Sequence, residues 1–260
     1  MKERTIGSII LLVIWIGSLL ISPILFSLVM TLAALLGFRE LVNIKYEKKE
    51  SSLEFVKFIA YVSIILITLN KTIININNNI VVILPILGLT IPIVFYNNSK
   101  KYNINDALYL LGAIFFLSLA FQQIVKLCNS NIDKCIYVFL IAFVTDTYAF
   151  ITGNLIGKHN ITTISPKKTW EGSIVGSIMG CIIGSLYYYN FIGDISIIRV
   201  IVMSLILTIL CEIGDLVFSS IKRYFNKKDY SNLIPGHGGI LDRFDSVIFV
   251  ALGLVLILSL

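Results

Sequence analysis

Apolar runs long enough to cross a bilayer recur from one end of this chain to the other, and no other feature restricts its fold so severely. A spanning helix needs about 20 predominantly apolar residues. Such runs lie near 6–21, 24–42, 55–70, 80–96, 106–126, 135–153, 172–190, 197–219 and 240–260. The expected fold is therefore all-α: a polytopic transmembrane helical bundle of about nine spans. The first two runs are crowded, with Ser22-Pro23 as the only evident break before Phe38, and one long or re-entrant element there would reduce the count to eight. Cytoplasmic loops carry the excess of Lys and Arg. With the N-terminus cytoplasmic, only Lys71, Lys126, Lys134 and Arg199 of the 21 basic residues fall on the far side. Residues 1–130 then supply about five spans of generic character, and residues 131–260 supply the rest together with the cytoplasmic loops that hold the chemistry.

Composition excludes several classes of function. Of the residues, 57% are apolar and 14% charged, against roughly 25% charged in a soluble domain, so no soluble domain is left over. A secretory leader would precede a polar mature chain, whereas here apolar runs continue to Leu260. The formal charge of +6 resides in short loops between spans, not in a basic patch interleaved with aromatics. Anionic lipid and phosphate are the expected partners, and nucleic acid is not. Cys181 and Cys211 sit inside apolar runs, where a thiol behaves as a small hydrophobe. Cys128 and Cys135 flank a polar loop with no CxxC pair or His-Cys cluster beside them, which favours thiols over a bridge.

Gly172, Gly176, Gly180 and Gly184 form a small-residue stripe that lets helix backbones approach closely in lipid, and packing is the expected role. Gly153 and Gly157 lie seven and eleven residues after Asp146, hence on nearly the same helix face. A carboxylate at that position is expected to face protein, because facing lipid would cost several kcal/mol.

The densest chemistry lies in the last third. At 100° per residue Asp215, Ser219 and Lys222 share one face at the cytoplasmic end of a span, with Glu212 and Arg223 close to it. Lys228 follows in a polar loop. Gly236, Gly238 and Gly239 then free the backbone to turn its amides toward an anion, immediately ahead of a helix N-terminus. Asp242 and Asp245 share a face of the first turns of that helix. If the two helices pack together, Asp215 converges with them. Hard oxygen ligands beside Lys and Arg suit Mg²⁺ carrying a triphosphate. Taken singly, each feature has a plainer explanation: a capping or lysine-paired Asp215, a dipole-partner Asp242, a basic run that only sets topology. Those explanations do not ask for a Gly-His-Gly-Gly loop between two carboxylate-bearing helices. His159 and His237 are the only histidines, and neither has a second histidine with which to form a metal site. His237 is expected to bind phosphate or orient its loop.

Ser219 to Asp245, read unbroken, resembles the signature of the phosphatidate cytidylyltransferase (CDP-diacylglycerol synthase) family. Asp146 to Phe150, Gly153, Gly157 to His159 and Ser165 to Gly172 resemble the family's upstream conserved region. Ser231 departs mildly, standing where many relatives have Gly. The resemblance implies that CMP passes from CTP to phosphatidate, giving CDP-diacylglycerol and pyrophosphate, in the cell (inner) membrane with the active site on the cytoplasmic face. It implies Mg²⁺ on Asp215 and Asp242, with Asp245 as third or supporting carboxylate. Lys222, Arg223, Lys228, Arg243 and Lys168 would hold phosphates with Ser219, His237, Gly238 and Gly239. Membrane lipids are partners, and a homodimer is the implied assembly. Trp170 reads as an interface anchor and Glu171 as a helix-start acid. The rivals are a CTP-dependent lipid kinase, which would transfer the γ-phosphoryl group, and a membrane transporter, to which an intramembrane Asp146 would point. A transporter's ionisable residues near the midplane and internal repeat of spans are not evident.

Overall fold

The computed structural model describes residues 15–46, 54–96, 102–231, 233 and 238–260. Their regular structure is helical, apart from isolated β-bridges such as Asn70 with Ile74 and Asn160 with Thr169. Residues 15–21 are helical. The chain breaks at Ser22, whose hydroxyl accepts the Leu25 N–H at 3.1 Å, and Pro23 opens α1 (Pro23–Tyr46), where its missing N–H costs nothing. The break expected at Ser22-Pro23 is therefore present. Residues 6–14 of the first run lie outside the described residues. The remaining helices are α2 (Glu54–Leu69), α3 (Asn78–Phe95), α4 (Ile104–Ser130), α5 (Ile132–Ile156), α6 (Trp170–Phe191), α7 (Ile197–Tyr224) and α8 (Leu241–Leu258).

Six of these, α1 and α3 to α7, are long and apolar enough to span a bilayer. The other two are α2, short at 16 residues, and α8, which carries Asp242, Arg243 and Asp245 in its first turns. The protein is a multi-pass membrane protein. Cys128 and Cys135 are disulfide-bonded, a correction to the expectation of thiols. Only Asn131 lies between α4 and α5, so the chain leaves the two cysteines few residues apart.

Two units can be distinguished. One comprises residues up to Asn129 with Tyr230–Ile240, the other Ser130–Asp229 with Leu241–Leu260. In the first, Phe26, Met30, Phe38, Ile64, Leu89 and Phe121 are fully buried. Polar ties close the helix ends. Gln122 donates to the carbonyls of Ile67 and Asn70 at the end of α2, and Tyr102 donates to the carbonyl of Leu89 at 2.7 Å in the proline-bearing α3. Asp106 takes both the Tyr46 hydroxyl and the Lys45 ammonium.

The second unit is built on close helix approach. A Cβ added at Gly172 would meet the Ala149 carbonyl oxygen at 2.6 Å, and one at Gly176 the Thr145 carbonyl oxygen at 2.7 Å. The glycine stripe of α6 therefore lies against the backbone of α5, as expected of packing. Two residues round the helix, Ile174, Ile178, Ile182 and Leu186 are exposed, forming the apolar face a bilayer would cover. Gly214 plays the same part between α7 and α8, where a Cβ would fall 2.8 Å from the Asp245 carbonyl oxygen.

Candidate active site

The second unit carries an open cavity of about 380 Å³ lined by Asp146, Lys167, Lys168, Asp215, Lys222, Asp229, Asp242, Arg243 and Asp245. Four pieces of chain supply these groups, and local sequence explains how each is presented.

The loop between α5 and α6 is tightly tied. Ser165-Pro166-Lys167-Lys168 is a turn closed by Lys168 N–H to the Ser165 carbonyl at 3.0 Å, with proline at the position that favours it. The segments entering and leaving this turn pair through Ile161 N–H to Lys168 O and Trp170 N–H to His159 O. Glu171 accepts the backbone N–H groups of Lys158 and His159 and meets His159 Nδ1 at 2.5 Å. Thr169 caps α6 by accepting from Gly172 N–H. Glu171 and His159 thus brace the loop, and Trp170 is exposed.

So held, Lys168 reaches α7. Its Nζ lies 2.8 Å from Glu212 Oε2 and 2.9 Å from Asp215 Oδ2. Burial alone would lower the pKa of this ammonium; the carboxylates of Asp215 and Glu212 outweigh it and raise the pKa above the ordinary lysine value. A raised value means that the charge, and the stability it contributes, persists through neutral pH and is lost only well into the alkaline range. Asp215 also accepts from Ser219 Oγ, one turn on, at 3.2 Å. The other Glu212 oxygen, Oε1, is buried with no hydrogen-bond partner among the described residues.

A second ion pair joins α7 to α8. Lys222 Nζ lies 2.6 Å from Asp242 Oδ1, with both side chains almost wholly buried. Asp245 follows one turn later on α8 and lines the cavity. The Gly214 contact with its carbonyl is what lets the two helices bring Asp215 and Asp245 to the same wall. Asp146 completes that wall from α5 and accepts a weak Cys211 Sγ contact at 3.6 Å.

Other residues singled out in the sequence are placed differently. Arg223 is exposed and donates to the backbone carbonyls of Ile164 and Lys227. Those bonds tie together the two loops at this end of the unit, and Arg223 is not among the residues lining the cavity. Lys228 is exposed and also away from the walls. Gly238, with φ of +79°, and Gly239 belong to the Tyr230–Ile240 segment of the other unit. His237 lies outside the described residues. Glu212 was legible only as a neighbour of the Asp215 face, and Asp146 only as a protein-facing carboxylate. Their spacing to Lys168 carries no local signal.

Among the described residues no three acidic, His or Cys side chains stand close enough to hold a metal ion unaided. Mg²⁺ does not require that, since it commonly takes one or two carboxylates and completes its shell with phosphate and water oxygens. The donor set here fits: aspartate oxygens on one wall and lysines alongside to receive phosphates.

Residues 2–260 match the model of the cytidylyltransferase family. The chain is 32% identical over 252 residues to a phosphatidate cytidylyltransferase of Staphylococcus haemolyticus, with 96% of each chain covered. It is 30% identical over 253 residues to that of Staphylococcus saprophyticus and 32% over 262 residues to that of Staphylococcus aureus strain COL, again with 96% of each covered. This chain belongs to the cytidylyltransferase family.

Proposed function

We propose that this protein is a phosphatidate cytidylyltransferase, which transfers CMP from CTP to phosphatidate and releases pyrophosphate. The observation that carries this reading is the pairing of Lys168 with Glu212 and Asp215, and of Lys222 with Asp242, around one cavity. Both substrates are polyanions, and their mutual repulsion is the main barrier to reaction. A phosphate oxygen of the lipid attacks the α-phosphorus of CTP, the bond to the bridging oxygen breaks, and its electron pair leaves on pyrophosphate. The attacking phosphate needs no base, and no covalent enzyme intermediate is required.

The lysines are fixed before substrate arrives. Each is held by carboxylates of neighbouring elements, so its charge is placed without reorganisation during the reaction. Asp215 and Asp242 are the side chains that would hold Mg²⁺, with Asp245 and Asp146 lining the same cavity. When bound, that ion neutralises charge developing on the transferring and leaving phosphates. Arg243 and Lys167, which line the same cavity, add to its cationic surface. Arg223 and Lys228 are read as outlying cations. The diacyl tails stay in the membrane, so the reacting end of the unit faces the cytoplasm, as the basic-residue bias supports. A homodimer belongs to the same proposal.

Labelled CTP tests the reaction. With purified protein, phosphatidate and Mg²⁺, label in the α-phosphate is expected in the lipid, with one pyrophosphate released per lipid modified. Transfer of γ-label alone would identify a lipid kinase and overturn the reading.

A further inference from the structure

The first unit has a cavity of its own, of about 230 Å³, between α2, α3 and α4. Lys71 and Lys126 line it together with Val82, Phe115 and Leu119, and no Asp or Glu is among the lining residues. Among the described residues both ammonium groups are bonded to neutral amides. Lys126 Nζ donates to Gln122 Oε1 at 3.1 Å and Lys71 Nζ to Asn75 Oδ1 at 2.6 Å. An ammonium has three donors, so one amide acceptor on each leaves donors for an anion. Lys71 and Lys126 are also two of the four basic residues that the expected orientation leaves on the far side. The bias that loads cytoplasmic loops with Lys and Arg therefore gives no account of them.

The frame around the lysines is firmly tied. Gln122 donates to the carbonyls of Ile67 and Asn70, and the Asn70 side chain accepts the Ile76 N–H at 3.1 Å and donates to Asn78 Oδ1 at 3.0 Å. These bonds join the end of α2, the turn that follows and the start of α3. Within that turn Lys71 has φ of +65°, a left-handed conformation unfavourable for any residue with a Cβ and open to glycine. The turn by itself would suit glycine better, so what lysine adds there is its charge.

Along α4, Lys126, Gln122, Leu119 and Phe115 fall on one face and pass from charged to apolar over about 16 Å of helix. Val82 and Leu119 are 46% and 44% exposed, so the apolar end of the cavity opens on the surface a bilayer would cover. A cationic end continued by an apolar groove matches a lipid phosphate and the start of its acyl chains. The volume is below the roughly 300–1,000 Å³ of pockets that enclose a whole small ligand, which suits a headgroup whose chains remain in the bilayer.

We propose that this cavity binds the phosphodiester of an anionic phospholipid, held by Lys71 and Lys126, with its acyl chains along Val82, Leu119 and Phe115. Every residue of the site belongs to the first unit, and the proposal does not depend on the reaction assigned to the second.

The test uses purified full-length protein in detergent and phosphatidylglycerol with a photoactivatable group in one acyl chain. Crosslinks mapped to α3 and α4 report this site by itself. The lipid concentration for half-maximal labelling should rise about fivefold for Lys71→Gln and for Lys126→Gln, and roughly twentyfold for the double variant. Arg199→Gln removes an exposed cation that is not among the lining residues and should change it less than about twofold. An equal loss there would reduce the effect to net charge and overturn the proposal. Phosphatidylcholine carrying the same group should need a concentration at least about tenfold higher; equal labelling would mean ordinary boundary lipid. Inorganic phosphate should not displace the lipid, and displacement at equal concentration would make this a site for the free anion. Lys71→Gly guards against misfolding, since glycine relieves the backbone conformation. It should unfold no earlier than the wild type without lipid yet lose about fivefold in affinity. Earlier unfolding with unchanged labelling would leave Lys71 a structural residue and overturn the proposal.

Discussion

Lys168 is the residue on which most of the site depends, because one ammonium satisfies two carboxylates that would otherwise repel each other within a buried wall. Removing one partner of a buried pair is strongly destabilising, by about 3–5 kcal/mol. Lys168→Met is therefore expected both to lower the unfolding temperature and to abolish measurable turnover; full activity with intact stability would remove Lys168 from the site. Asp215 and Asp242 answer a cleaner question, since Asn keeps their size and removes the charge. Asp215→Asn and Asp242→Asn should each lower turnover by at least about a hundredfold, the scale of a lost transition-state electrostatic contact. If both serve one metal ion, the double variant should be little worse than either single one. Turnover measured across a Mg²⁺ titration decides this: multiplicative losses with an unchanged Mg²⁺ requirement would mean two independent residues. Lys222→Gln leaves Asp242 without its 2.6 Å partner, and should weaken CTP binding while membrane insertion, which rests on many charges, is retained.

At the scale of the element, α6 presents two faces of opposite character. Its glycines admit the backbone of α5, and its exposed Ile and Leu residues face away. Filling the first face should be costly and exchanging residues on the second should not. Overpacking typically costs about 1–3 kcal/mol, so Gly176→Leu is expected to lower the unfolding temperature sharply while Ile178→Leu leaves it nearly unchanged. Equal effects would show that the stripe does not pack within the chain. Two of the helices extend past the apolar runs that announce them by a turn or so at their C-terminal ends. The run at 197–219 becomes α7, ending at Tyr224, and the run at 135–153 becomes α5, ending at Ile156. Hydropathy reports where lipid is in contact, whereas backbone hydrogen bonding continues into the polar turn. That extra turn is what places Lys222 above Ser219 and Asp215.

For the whole molecule, the expectation from the basic-residue bias is that the loops at 158–171 and 220–239 are cytoplasmic. A cysteine placed at Asn226, which is exposed, should react with an impermeant reagent only after cells are opened, in a background lacking Cys181. Labelling of intact cells would reverse the orientation and with it the access of CTP. Much else was legible without tertiary information. Apolar runs dictated an all-helical membrane fold because lipid leaves the backbone few alternatives. Helical spacing put Asp215, Ser219 and Lys222 on one face, and the motifs from Asp146 to Asp245 indicated the family.

Tertiary structure decided the partners. Lys222 pairs with Asp242 across two helices, not with Asp215 on its own helix. Lys168 reaches Glu212 and Asp215 from another loop, and Glu40 fastens Ser231 and Ile240 from far up the chain. Periodicity fixes which residues share a face of one helix. Which faces meet is set by where small residues allow backbones to close, as Gly214 does against Asp245, and that is a property of packed elements that no single segment carries.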